Sequence, residues 1–138
     1  MKHCSSIDTD DILYKIVKDA VTSGKVKISG GVFVQGERPD DSEAEDIVIN
    51  TITVTGEKPQ TGTSNVNIFA PDKKVKIHGR EQRKADRERL RMIGDALFAH
   101  LDAQNVDDLE YWIESDTTIK EIEVKQHHRN LRISWNIH

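Results

Sequence analysis

Residues 131–137 alternate without exception: Leu131, Ile133, Trp135 and Ile137 are apolar, with Arg132, Ser134 and Asn136 polar between them. A strand written this way buries one face and wets the other, because successive side chains point to opposite sides of a sheet. Such a sheet needs a cover for its apolar face, and two stretches of helical periodicity can supply it. In the first, residues 9–22, Ile12, Leu13, Ile16, Val17, Ala20 and Val21 recur at three-and-four spacing. Asp8 and Thr9 are N-cap candidates, Asp10 and Asp11 fall where the helix dipole favours anions, and Gly24 stands where a left-handed C-cap belongs. In the second, about 80–103, Leu90, Ile93, Ala96, Leu97 and Leu101 form the apolar stripe. Its first half is almost entirely charged, which predicts a half-helix that projects from the core or lies along its rim.

The rest of the chain reads as extended. Val26 and Ile28 alternate with Lys25 and Lys27, Gly30-Gly31 marks a turn, and Val32-Phe33-Val34 resumes the strand pattern. Gly36 to Asp46 holds Pro39 and six acidic residues, a solvated loop. Ile47 to Thr55 follows with Ile47, Ile49, Thr51, Thr53 and Thr55 on one face. Val48, Ile52 and Val54 lie on the other, so this strand is expected to be covered on both sides over part of its length. Residues 56–64 form a turn-rich connection to a strand at Asn65–Ala70, a β-hairpin that Pro71 ends. After a lysine-rich stretch and the second helix come strands at Glu110–Glu114, Thr118–Lys125 and Leu131–Ile137, with Ile119, Ile122 and Val124 as further core candidates. The order α–β–β–β–β–α–β–β–β predicts an α+β fold, a mainly antiparallel sheet flanked by two helices, one near 9–22 and a longer one near 80–103. A length of 138 residues suits a single domain spanning 1–138, with 1–8 as a flexible N-terminus.

Composition narrows the function classes. Hydrophobic residues make up 36 % and charged residues 32 %, enough for one modest core under a surface that is either heavily solvated or covered by a partner. The net charge of −4 excludes a generally basic nucleic-acid coat. No apolar run reaches the ~18–20 residues that span a bilayer, and the first residues lack the apolar stretch of a signal peptide. The single cysteine, Cys4, cannot form an internal disulfide, which suits a reducing compartment.

Catalytic and ligand motifs fail on spacing. Gly56 to Ser64 has its glycines one residue too far apart for a phosphate loop, lacks the lysine before Thr63, and joins two strands. Gly30, Gly31 and Gly36 do not match a dinucleotide fingerprint. Of the six histidines, His127 and His128 are adjacent and would face opposite sides of a strand, and His78, His100 and His138 lie in separate elements. Those two adjacent residues read as a polar turn before the last strand. Cys4 has no base beside it, and the acidic run Asp40, Asp41, Glu43, Glu45 and Asp46 lacks the EF-hand order. The expectation is a non-enzyme with no catalytic residue, no cofactor and no metal.

Charge is distributed unevenly. Residues 1–72 carry a net −5 and residues 73–138 a net +1. Arg80, Arg83, Lys84, Arg87 and Arg91 recur along one side of the second helical stretch. Such a stripe can be a solvated face laced by ion pairs with Glu81 and Glu88, or can meet a partner's acidic surface. Nucleic acid is the less favoured partner, since no exposed aromatic interleaves the stripe.

One arrangement of motifs carries a family resemblance. GGVFVQGERP follows the short N-terminal helix, then come EDIVINTITV, a hairpin, NVNIFAPD, a helix with RLRMIGDALFAHL and closing strands. This order resembles the tail-completion and tail-terminator proteins of tailed bacteriophages and prophages. The matching positions are Gly31, Val32, Phe33, Arg38 and Pro39, then Asp46 to Asn50, then Asn65, Asn67 and Pro71. The resemblance implies a virion assembly protein that acts through shape. Its copies would form a ring, commonly a hexamer, that caps the tail tube and joins it to the head connector. The implied partners are other copies of the chain, the tail tube protein and head–tail connector proteins. The implied location is the head-proximal end of the virion tail, with the bacterial cytoplasm during assembly. In that setting Asp40, Asp41, Glu43 and Glu45 of one copy would face Arg80, Arg83, Lys84, Arg87 and Arg91 of the next. The 57–64 loop, with Lys58, Gln60 and Thr61, would reach a neighbour or the tube. The alternatives are another neck component, or a small adaptor of a mobile element binding a host protein or nucleic acid.

Overall fold

The apolar faces predicted by alternation and by helical spacing meet in one core. A computed structural model describes residues 3–106, 108–121 and 126–138. The elements are α1 (Ser6–Thr22), β1 (Val32–Val34), β2 (Asp46–Val54), β3 (Gln60–Pro71), β4 (Lys73–Ile77), β5 (Arg80–Lys84), α2 (Arg87–Asp102), β6 (Leu109–Glu121) and β7 (Gln126–Ile137). Five strands form one sheet in the order β1-β2-β3-β7-β6, with only the β1–β2 pair parallel. The remaining two, β4 and β5, form a separate antiparallel pair. The fold is α+β, with strands predominating.

Register places the core. Ile47 pairs with Ile68, Ile49 with Val66, Val66 with Leu131, Ser64 with Ile133, and Ile133 with Ile113. Ile47, Ile49, Val66, Ile68, Leu131 and Ile133 are fully buried, together with Leu13 and Val17 of α1 and Leu97 and Leu101 of α2. Both helices therefore lie on one face of the sheet. The residues between, such as Val48, Asn65, Asn67 and Asn130, share the opposite face. There the 35–45 loop folds back: Arg38 pairs with Asp46 at 2.9 Å and its guanidinium stacks 4.1 Å over the Phe69 ring. Val48 is buried there too, so β2 is covered on both sides at this end, whereas Ile52, the bulged residue between Thr51 and Thr53, is exposed.

Several boundaries differ from the sequence reading. The cap of α1 is Ser5, not Asp8 or Thr9. Ser5 accepts a hydrogen bond from the Asp8 N–H at 3.2 Å, and the Asp8 carboxylate accepts from the Ser5 N–H at 2.8 Å, a capping box. Thr9 is instead buried one turn in, its hydroxyl 2.7 Å from that of Thr51. The segment expected to be a flexible terminus is tied down at Cys4, which is buried and bonded to Gln60 on β3. Val26 and Ile28 form no strand. Val26 is buried as the chain leaves α1, with Gly24 in the left-handed region as expected. Gln60 to Ser64 belongs to β3 and not to the preceding turn.

The second helix is the larger correction. It spans Arg87–Asp102, 16 residues against 17 in α1, because residues 80–84 return as a strand. The strands expected at 110–114 and 118–125 are one continuous strand as far as Glu121, with a bulge between Ile113 and Ser115. Ile122 and Val124 lie outside the described residues. The last strand begins at Gln126, five residues before Leu131, so His127 and His128 sit in a strand and not in a turn.

Candidate interaction surface

The stretch from Lys73 to Lys84 reads KKVKI-HG-REQRK, two five-residue strands around a two-residue turn. Both turn residues have positive φ, His78 at 53° and Gly79 at 77°, the backbone form whose twist matches paired strands. Glycine tolerates that conformation at no steric cost. The register runs from Ile77↔Arg80 at the tip to Lys73↔Lys84 at the root. Val75 and Gln82 face each other and are half-buried; every other side chain of the hairpin is exposed. None of these residues joins the hydrophobic core.

The charge of this hairpin is extreme for its size. Lys73, Lys74, Lys76, Arg80, Arg83 and Lys84 face a single acid, Glu81. Lys73 lies directly opposite Lys84, and Lys74 opposite Arg83, pairings that destabilise a sheet. Among the described residues its one ion pair, Lys74 with Glu81 at 3.8 Å, is exposed on both sides and adds little. A lone two-stranded hairpin is at best marginal in water. What holds it is its root: Asp72, almost fully buried, lies 2.7 Å from His127 Nδ1 on β7, and Asp86 caps α2 by accepting from the Arg89 N–H.

The sequence-predicted site residues scatter around this feature. Arg80, Arg83 and Lys84 are on β5, so the predicted single helical stripe does not exist; only Arg87 and Arg91 are on α2. Those two border an open groove of about 320 Å³ between α2 and β6. Its floor is Arg129, which pairs with Asp95 at 2.9 Å and Asp116 at 2.6 Å and donates to the Leu90 carbonyl. The Asp116 carboxylate leads in raising the Arg129 pKa still further. Gly94 makes room for this side chain, since a Cβ there would stand 2.2 Å from the guanidinium. Arg129 is thus committed internally, and among the described residues Arg87 and Arg91 have no ion-pair partner.

In the acidic loop, Asp40, Asp41 and Glu43 are exposed. Glu45 is not available: Arg89 grips both its oxygens, at 2.6 and 2.9 Å, and holds its carboxyl below the usual carboxylate range. Asp46 is buried, which would raise its pKa. Hydrogen bonds from Ser42, Arg38 and Gly31 outweigh that and lower it. Thr61 is exposed at the opposite end of β3, about 33 Å of strand away from Pro71, and Lys58 is exposed just before that end. Gln60 is a structural residue: its side chain accepts from the Cys4 N–H and donates to the carbonyls of Cys4 and Thr55.

Lys73, Lys74 and Lys76 escaped the sequence reading as site residues. The signal that could have found them is the His78-Gly79 turn between two segments of equal length. Among the described residues no group of three or more His, Cys, Asp or Glu side chains is placed to hold a metal, and no helix is long and apolar enough to cross a membrane. No protein-family model matches the chain, and no curated protein matches it in sequence.

Proposed function

We propose that this chain is a structural assembly subunit whose copies close into a ring at the head-proximal end of a bacteriophage tail, capping the tube and joining it to the head connector. The observation that carries the self-assembly part is the β4–β5 hairpin: six cations on an arm that contributes nothing to the core. A domain that maintains cross-strand like-charge pairs at its own expense is built to meet an anionic surface. The resemblance in the order of elements supplies the phage tail as the setting. Shape and charge, not chemistry, are what this reading requires of the protein.

The test is mass in solution across concentration, by light scattering, with negative-stain imaging of any large species. A closed ring is expected, and the triple variant Arg83→Glu, Lys84→Glu, Arg87→Glu should fall back to monomer. A chain that is monomeric at every concentration and does not add to isolated tail tubes overturns the reading. One observation favours a second reading, an adaptor that binds nucleic acid: a two-stranded β-ribbon fits the major groove of a duplex. Duplex DNA binding that weakens steeply with salt would support it.

A further inference from the structure

Among the described residues, two strand edges with unused backbone hydrogen-bonding groups stand out beside the short edge of the three-residue β1. The first is β6, an outer strand of the main sheet, 13 residues long and paired on one side only among the described residues. Long edges are usually blunted by proline or lysine or kept short. This one has no proline, a single bulge, and one lysine against four acids, Glu110, Glu114, Asp116 and Glu121. Trp112 and Ile119 are exposed along it, on the sheet face away from the helices. The second edge is the basic hairpin, whose strands pair only with each other.

These two edges complement each other. We propose that the hairpin of one copy adds as strands to the β6 edge of the next, so that main-chain bonds join the sheets and the cationic hairpin meets an acidic edge. This rests on the self-assembly reading above and names its contact. The five-residue hairpin strands, about 17 Å long, match the five-residue run Leu109–Ile113 that precedes the bulge. Glu110 in this run and Glu114 at the bulge beside it are exposed, acids open to the cations of the hairpin. The acidic 37–43 loop offers carboxylates but, lacking strand structure, no row of backbone groups to extend. Nucleic acid cannot satisfy such a row either, and the acids of β6 would repel it. Because hairpin and edge are different patches of one chain, the contact is heterologous, and it closes into a ring or runs on as a filament.

Charge swapping on the full chain tests this. The hairpin variant Arg80→Glu/Arg83→Glu and the edge variant Glu110→Lys/Glu114→Lys should each associate at least tenfold more weakly than wild type by light scattering, with unchanged circular dichroism. Mixed one to one they should assemble again, since each then offers the edge or hairpin that the other needs. The four-substitution chain should likewise recover. If wild type forms rings while both double variants still associate normally, the contact lies elsewhere and the docking mode is wrong, though self-assembly stands. The same conclusion follows if only Asp40→Lys/Asp41→Lys/Glu43→Lys dissociates the rings. A wild-type chain that stays monomeric throughout removes both.

Discussion

The β2-β3-β7-β6 part of the main sheet and the β4–β5 hairpin are both antiparallel pairings, yet they are held by opposite means. In the sheet, Ile133 sits between Ser64 and Ile113 in register and has no solvent exposure, so burial fixes which residues face which. In the hairpin, only Val75 and Gln82 are half-buried, and the Lys73–Lys84 and Lys74–Arg83 pairs at its root repel. The lesson is that strand geometry here serves two ends. One pairing stabilises the domain; the other presents charge in a fixed row.

Substitutions should separate the two regions cleanly. The largest effect is expected from Trp135→Ala. It empties a fully enclosed site, breaks the edge-to-face contact with Tyr111 and removes the indole N–H donor from the Ser64 hydroxyl, and it should cost about 4 kcal/mol in urea unfolding. A loss below about 1 kcal/mol would mean that the helix-covered face is not the stabilising region.

Asp46→Asn comes next. It removes a buried charge that hydrogen bonds from Ser42, Arg38 and Gly31 were arranged around, at about 2–3 kcal/mol. This substitution also carries a pH signature. Glu45 and Asp46 both have carboxyl pKa values lowered by the fold, so their contribution is present above the unfolded value of roughly 4. It is lost as pH falls through their folded values. Thermal midpoints measured from pH 7 down to pH 2 should drop below about pH 4 in wild type. The drop should be shallower in Asp46→Asn.

The smallest effect on stability belongs to the hairpin. Arg83→Glu replaces a like-charge pair with an opposite one facing Lys74, and should change unfolding by less than about 0.5 kcal/mol. A loss of 2 kcal/mol or more would show the hairpin to be part of the folding unit, and erase the contrast.

The two regions were also unequally legible in the sequence. The alternation in residues 131–137 and the stripes at Leu13–Val17 and Leu90–Leu101 report burial directly, so the helices and the faces of the sheet could be read from them. The hairpin could not, because Arg80, Arg83, Lys84, Arg87 and Arg91 also fit one side of a helix, and exposed lysines and arginines carry no burial signal. The continuity of β6 was hidden by its bulge, where the shift at Glu114 breaks the alternation that a strand would show. Gln60 gave no sign at all: it grips a backbone 56 residues away, a partnership no local pattern records. Of the acidic set, spacing could not reveal that Arg89 had already claimed Glu45.

The grip of Gln60 on Cys4 has a practical corollary. Gln60 also pairs with Ile137, so both ends of the described chain converge on one pole of the sheet, where His3 and His138 border the same cleft. The hairpin springs from the other pole, beyond Pro71. An affinity tag or surface tether on either end would therefore orient the molecule with its cationic arm facing away from the support. A fluorophore at either end would likewise report on the pole remote from the arm.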